Sequence, residues 1–244
     1  MKLIKKYGLV NGLCLLIIMI SVPGITHAQI QANTSLKSKY IWGGVEMGDG
    51  AVVQGNLKYT AENGLFVGGM FSTLDFSHPG NNQIDIKAGY SGSLGQLNYE
   101  TGLVRHGFTG DSPTDEDAGV LRSFFSGSLG SMHFIVLSPL NDSNWTSAGD
   151  VYANIGFVQP LPAEFRFAVN AGAYYFNDDA VFSDGRVAFE KTQSFAFRDA
   201  TLSINRAVTG MPLDLGLHYS IGGERQNGLE LDDHVWFSIN MRLP

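Results

Sequence analysis

The chain has 244 residues, of which 23 are acidic and 16 are basic, and its formal net charge is −7. This acidic balance argues against nucleic acid as a partner, because binding phosphates requires a basic face. No apolar run reaches the length of about 18 residues that suggests a transmembrane helix. Helical spacing of apolar residues does not persist anywhere beyond two turns, whereas strict alternation does, which favours strands.

The first 28 residues have the composition of a secretory signal peptide. Three lysines stand near the start, residues 13–22 are almost all apolar, and Ala28 is a small residue at the end. We therefore expect cleavage after Ala28, with residues 29–244 as one mature domain. Cleavage removes three lysines, no acids and the only cysteine, Cys14, so the formal net charge falls from −7 to −10.

Four segments alternate cleanly between apolar and polar residues, namely 51–60, 83–90, 213–222 and 234–243. A period of two with one apolar face is what a strand facing lipid on one side requires. Weaker candidates lie at about 30–44, 65–76, 96–108, 117–127, 131–138, 150–159, 164–176 and 195–207. Together these segments predict about twelve strands, an even number as in bacterial single-chain barrels.

The links between these strands alternate in length. Short links rich in Gly, Asn and Pro, which supply turn chemistry, lie at 61–64, 92–95, 128–130, 160–163 and 209–212. Longer polar or acidic links lie at 77–82, 109–116, 139–149, 177–194 and 223–233. Short periplasmic turns and longer external loops are typical of an outer-membrane antiparallel β-barrel. A soluble all-β sandwich is the alternative, but it gives no reason for such regular alternation.

The N-terminal third resembles a known family of barrels. The stretch Ser38-Lys39-Tyr40-Ile41-Trp42-Gly43-Gly44-Val45, then Ala51-Val52-Val53-Gln54-Gly55 and Asn63-Gly64-Leu65-Phe66-Val67-Gly68, is similar to the TorF-type putative porin family. That family has the signature S-x-Y-x-aromatic-R-G followed by A-V-Q-G, and the similarity is clearest over residues 35–105. The resemblance implies an outer-membrane barrel forming a small pore, and it implies no particular solute. Gly43 stands where the family pattern usually has arginine.

If the apolar faces point to lipid, the opposite faces line the lumen. Alternation then predicts ten lumen-lining charged or titratable side chains, which are Lys58, Asp85, Lys87, Glu100, Arg122, Arg166, Arg198, Asp214, His218 and Arg242. In a wet lumen these charges would set ion selectivity, whereas in a narrow lumen they would form a salt-bridged plug. Both interpretations stay open, because strand number fixes the diameter only roughly.

Aromatic residues predict the edges of the membrane-facing surface. Six of them fall near strand ends beside the short links, where a membrane-interface girdle is expected, and these are Tyr59, Tyr90, Tyr99, Phe157, Phe165 and Tyr219. Tyr40, Trp42, Tyr174, Tyr175 and Trp236 belong either to the other girdle or to the lumen.

The sequence offers little support for catalysis or metal binding. The acidic stretch 111–117 carries four acids, but it lacks the glycine and terminal glutamate of a calcium loop. An outer-membrane lipid hydrolase would need a serine and a histidine at the outer rim. No G-x-S-x-G elbow is present, and no spacing singles out a catalytic pair. We therefore expect no catalytic residue, no metal and no cofactor.

These patterns together predict a porin-like channel in the outer membrane of a Gram-negative bacterium. Small hydrophilic solutes or ions would diffuse passively through a charged lumen. A closed barrel that displays loops without conducting is the alternative. The expected partners are outer-membrane lipid and lipopolysaccharide, the barrel-assembly machinery during insertion, and the small solutes themselves.

Overall fold

The computed structural model describes residues 29–48, 50–74, 82–109, 119–143, 146–177 and 191–243. Twelve antiparallel strands close into a barrel, because the first strand pairs both with the next barrel strand and with the last one. Its strands are β1 (Gln29–Lys37), β4 (Val52–Thr60), β5 (Leu65–Thr73), β6 (Asn82–Leu94), β7 (Leu97–Thr109), β8 (Val120–Leu129), β9 (Met132–Pro139), β10 (Val151–Pro160), β11 (Phe165–Tyr175), β12 (Phe195–Ala207), β13 (Leu213–Gly222) and β14 (His234–Leu243). A separate two-stranded hairpin consists of β2 (Ile41–Trp42) and β3 (Val45–Glu46). The predicted fold class is confirmed.

The two ends of the barrel differ, as the link lengths predict. At one end, here called the turn end, the strands are joined by short turns and the first strand begins at Gln29. Four of these turns place a glycine in the left-handed region, namely Gly64, Gly95, Gly130 and Gly210. The longer connections all lie at the opposite end, here called the loop end.

The first predicted strand is longer than the observed one. The segment 30–44 does not continue as one strand, because β1 ends at Lys37 and the chain then forms the β2–β3 hairpin. Gly43 and Gly44 have φ angles of 52° and 75°, so they form the tight turn of that hairpin. The other predicted strands match the observed ones within a few residues at each end.

Polarity is reversed relative to a water-soluble globular protein. Many large apolar side chains are exposed on the outer face, among them Leu57, Ile86 and Phe237 at 58%, 61% and 58% exposure. The buried side chains include Arg122, Arg198, Asp85 and many serines. The outer face of the strands is therefore mainly apolar, and most of the polar strand residues face into the barrel. Within the described ranges, no helix is long and apolar enough to cross a membrane.

The interior also contains one apolar band, which winds around the wall from strand to strand. Directly paired residues form it in the order Phe66, Gly89, Gly102, Phe124, Leu137, Tyr152, Tyr174 and Ala196. Gly89 and Gly102 have no side chain, so the rings of Phe66 and Phe124 approach to 6.3 Å between centroids. Because the strands are tilted in a barrel, this band climbs from the turn end at β5 to the loop end at β11 and β12.

Candidate functional site

The β2–β3 hairpin folds into the barrel at the loop end. The ring of Trp42 lies 5.7 Å from that of Tyr152 on β10, and the Arg122 guanidinium on β8 lies 4.9 Å above the same indole. Glu46 closes the hairpin by accepting a 2.9 Å hydrogen bond from Lys39. Contacts to inward-facing residues of different strands place the hairpin inside the barrel, where it fills part of the interior.

An irregularity in β12 directs two charged residues inward together. The register between β11 and β12 shifts at Gly172 and Ala173, and on β12 both Arg198 and Asp199 are buried, at 8% and 7% exposure. Arg198 donates from Nε to the carbonyl of Gly43 at 2.7 Å and from Nη1 to that of Glu224 at 3.1 Å. Tyr152 donates its hydroxyl to Asp199 at 3.2 Å. Alternation alone predicted Arg198 and missed Asp199, because a bulge breaks the period of two.

The sequence prediction placed Asp85 inside, and the structure surrounds it with donors. His106 Nδ1 lies 3.0 Å from Asp85 Oδ2, and the Gln83 amide donates to both carboxylate oxygens at 3.0 and 3.1 Å. Tyr40, in the loop before the hairpin, is buried beside this group. Burial raises the pKa of the Tyr40 hydroxyl above its ordinary value, and the negative charge of Asp85 raises it further. The hydroxyl therefore stays neutral.

Toward the turn end, three of the predicted charges form one cluster. Glu100 accepts a short hydrogen bond from Lys58, and Lys87 approaches its other carboxylate oxygen at 3.9 Å. Both ammonium groups also lie over the ring of Phe66, at 4.6 and 5.7 Å from its centroid. The side chains of Lys87 and Glu100 keep about a third of their area exposed, at 37% and 31%, so this cluster faces open space.

The remaining predicted side chains lie on β11, β13 and β14. Arg166 donates to Asp214 at 2.8 Å, and Arg242 reaches the other oxygen of that carboxylate at 3.5 Å. His218 is held between two serines, since Nδ1 lies 2.8 Å from the hydroxyl of Ser203 and Nε2 lies 2.9 Å from that of Ser238. Its ring stacks on Trp236 at 3.7 Å.

Two internal cavities lie at opposite ends of the barrel. The turn-end cavity has a volume of about 530 Å³ and is lined by polar residues that include Lys58, Glu100 and His133. The loop-end cavity, here called the upper pocket, has a volume of about 220 Å³. Its lining includes Trp42, Arg122 and Arg198. The hairpin and the aromatic residues beside it therefore leave a small space next to these two arginines.

Not all of the aromatic residues predicted to form a membrane-interface girdle lie beside the short turns. Tyr59 and Phe157 are exposed on the outer face near the turn end, and Phe165 is the first residue of β11 there. Tyr90 and Tyr99 contact each other with ring centroids 6.3 Å apart, also toward the turn end. Tyr219 is not beside a short turn, because it lies toward the loop end and donates its hydroxyl to Asp233 at 2.5 Å. Of the residues left open, Tyr40, Trp42, Tyr174 and Trp236 lie inside, and Tyr175 is exposed.

Several contributors to the interior were not predicted from sequence, including Lys37, Tyr152 and Asp199. Tyr152 occupies an inward position in an alternating strand, so the period of two could have found it. The acidic stretch 111–117 and most of 177–194 lie outside the described residues. Among those that are described, His, Cys, Asp and Glu side chains form no group of three or more that could hold a metal ion.

Comparisons with known proteins agree with this architecture. A family model described as "Bacterial protein of unknown function (Gcw_chp)" matches residues 24–137. No curated protein matches the chain significantly in sequence. The solved structure of the KdgM porin is similar over 88% of this chain and 98% of its own, with a TM-score of 0.51 and 6% identity. The NanC porin is similar over 88% of this chain and all of its own, with a TM-score of 0.51 and 11% identity. At these identities the likeness concerns the fold.

Proposed function

We propose that the chain is a narrow, porin-like channel of the bacterial outer membrane, through which small hydrophilic solutes or ions diffuse passively. The observation that carries this proposal is the reversed polarity of a closed barrel. An outer face of exposed apolar side chains suits hydrocarbon, and a polar interior suits a water-filled path. The fold shared with the KdgM and NanC porins supports the same function.

The charged interior gives the channel its selectivity in this proposal. The ten side chains predicted to line the lumen belong to it, together with Lys37 and Asp199. Among the inward-facing strand residues, the basic ones outnumber the acidic ones. The basic ones are Lys37, Lys58, Lys87, Arg122, Arg166, Arg198 and Arg242, and the acidic ones are Asp85, Glu100, Asp199 and Asp214. A surplus of positive charge inside an acidic protein favours anions over cations.

Export and membrane placement complete the proposal. Residues 1–28 act as a signal peptide cleaved after Ala28, and residues 29–244 form the barrel. Lipid and lipopolysaccharide contact the apolar outer face, with Tyr59, Phe157 and Phe165 at one membrane interface. The TorF-type family resemblance stays a prediction of the sequence. Its porin character is consistent with the proposed channel.

Two alternatives have different structural support. A closed, non-conducting barrel gains support from the hairpin inside the lumen. A hydrolase would need a serine beside a histidine, and Ser203 does contact His218. Both residues are buried in the barrel wall, however, at 6% and 8% exposure. That position is away from the rim where a lipid would arrive, and His218 uses both ring nitrogens on serine hydroxyls. This contact serves the interior hydrogen-bond network.

Single-channel recording distinguishes these functions. The full-length chain is expressed in a Gram-negative host, purified in detergent, and shown to be folded by a change of gel mobility on heating. Added to a planar bilayer, it is expected to give discrete current steps, with anions preferred over cations in a salt gradient. A folded, heat-modifiable barrel that gives no steps would contradict the pore and favour the closed barrel. Heat-denatured protein in the same detergent is the control.

A further inference from the structure

The upper pocket has the features of a binding site rather than of a mere gap in the packing. It lies among the loop-end residues of several strands and the internal hairpin. Its volume of about 220 Å³ is below the range of about 300–1,000 Å³ that is usual for drug-sized ligands. The pocket therefore suits a solute about the size of a single ring.

Three arginines line the pocket, and their positive charge exceeds the negative charge of the two buried carboxylates beside it, Asp85 and Asp199. Arg122, Arg198 and Arg225 all line it. In the part of the chain that the structure describes, Arg122 contacts the face of Trp42 but no carboxylate within ion-pair distance. Arg198 is held by two backbone carbonyls, which orient the guanidinium without neutralising it. A buried guanidinium without a carboxylate is costly unless an anion pairs with it.

Two buried polar atoms beside these arginines have no partner. Oε1 of Gln83 and Nε2 of His106 make no hydrogen bond, although their residues are only 4% and 9% exposed and both line the pocket. Nearly all buried polar groups in native proteins are hydrogen-bonded. The Gln83 oxygen can only accept, so it requires a donor such as a hydroxyl group. These two atoms point to a ligand that carries hydrogen-bonding groups in addition to its negative charge.

Aromatic rings complete the wall of the pocket. Tyr174 and Phe176 stack with their centroids 5.3 Å apart and their planes within 2° of parallel, and both line the space with Trp42. Such flat apolar surfaces favour a ligand with a flat or ring-shaped body. A bare inorganic anion would use the arginines but would leave these surfaces without a contact.

We propose that the upper pocket is a selectivity site for small ring-bearing carboxylates that also carry hydroxyl groups. The carboxylate pairs with Arg122 and Arg198, a hydroxyl donates to Gln83, and the ring packs on the aromatic wall. Sugar acids and hydroxylated aromatic acids share this chemistry. The proposal builds on the proposed channel, because it places the site on the solute path. Binding itself does not require that the barrel conducts.

Titration calorimetry on the detergent-purified full-length chain tests this site independently of conductance. The probes are sodium glucuronate and sodium 4-hydroxybenzoate, with glucose as the neutral comparison, in buffer of low ionic strength. We expect saturable binding of at least one carboxylate, and the stronger of the two identifies the source chemistry. We expect no binding of glucose. The absence of binding by both carboxylates, or equal binding of glucose, would overturn the proposal.

Variants assign the binding to the pocket. Arg122→Gln is expected to weaken carboxylate binding about tenfold or more, because it removes a charge-assisted, bidentate partner. Arg206→Gln is the matched control, since Arg206 is exposed on the outer face and contacts Phe165. If Arg122→Gln fails the heat-mobility test of folding, Arg225→Gln replaces it, because Arg225 is exposed in a loop and supplies one of the three positive charges that line the pocket and attract the carboxylate. Unchanged binding in the folded pocket variant overturns the assignment.

The binding and conductance experiments separate the two proposals. A barrel that binds the carboxylate but conducts no current would contradict the channel and support the pocket.

Discussion

At the loop end the barrel interior is filled by a hairpin and aromatic rings, whereas at the turn end it holds paired charges around a larger cavity. Trp42, Tyr152, Tyr174 and Phe176 pack against one another at the loop end. The turn end has the Lys58–Glu100 and Arg166–Asp214 pairs instead. In the proposed channel, the loop end would therefore limit what passes, and the turn end would offer a hydrated, charged chamber.

The two ends of the barrel also differ in how deeply their ion pairs are buried. Asp150 at the loop end is 1% exposed and accepts hydrogen bonds from Lys191, Thr146 and two backbone amides. Asp214 at the turn end is shared by two arginines whose side chains are 34% and 74% exposed. Buried pairs fix structure, whereas hydrated pairs can exchange partners with passing ions. The same residue types are thus buried and fixed at one end and partly hydrated at the other.

Removing the hairpin is expected to have the largest effect. Tyr40 and Met47 already approach each other through a 2.8 Å backbone hydrogen bond. Replacing residues 41–46 with a Gly-Gly turn can therefore close the loop without them. We expect single-channel conductance to rise severalfold, because the replacement takes Trp42 and its neighbours out of the passage.

The matched control for this change is Phe237→Ala, which removes an aromatic ring of similar size from the outer face, where it is 58% exposed. Its conductance should equal that of the unaltered chain. If the hairpin variant is folded but conducts no better than the control, the narrowest point lies elsewhere. The contrast between the two ends would then be wrong.

The strands were predictable from the sequence, but the internal hairpin was not. A strand shows its two faces through a local period of two, as in Leu213 to Gly222, so both its existence and its inward residues follow from nearest neighbours. The hairpin depends on contacts that are distant in sequence, such as the hydrogen bond from Arg198 to Gly43, 155 positions apart. No local pattern encodes such a contact. The bulge that turns both Arg198 and Asp199 inward is a non-local feature of the same kind.

Reversing charge at the turn end is expected to have an intermediate effect. In the double variant Lys58→Glu and Lys87→Glu, three carboxylates including Glu100 would lie together in the barrel interior toward the turn end. Ion selectivity should shift toward cations, because fixed negative charge attracts them. The measurement is the reversal potential of the channel in a salt gradient.

An outer-face charge reversal provides the comparison for this experiment. Arg206→Glu changes charge by the same sign but lies on the exposed side of β12, so it should leave the reversal potential unchanged. If the lysine double variant also leaves it unchanged, Lys58 and Lys87 do not face the ion path. The assignment of the lumen charges would then fail at the turn end.

The smallest expected effect concerns stability rather than permeation, and it compares the two carboxylates directly. Asp150→Asn removes the negative charge of a carboxylate that lies 2.8 Å from Lys191, and both side chains are nearly fully buried. We expect a loss of about 3 kcal/mol in the free energy of unfolding, the scale for breaking a buried ion pair. Asp214→Asn should cost at most about 1 kcal/mol, because its arginines are partly hydrated. Urea unfolding in detergent micelles, followed by tryptophan fluorescence, measures both values.

Similar losses for the two variants would mean that the turn-end pair stabilises the fold as much as the loop-end pair does. The division of the interior into a rigid half and a permeable half would then lose its energetic basis.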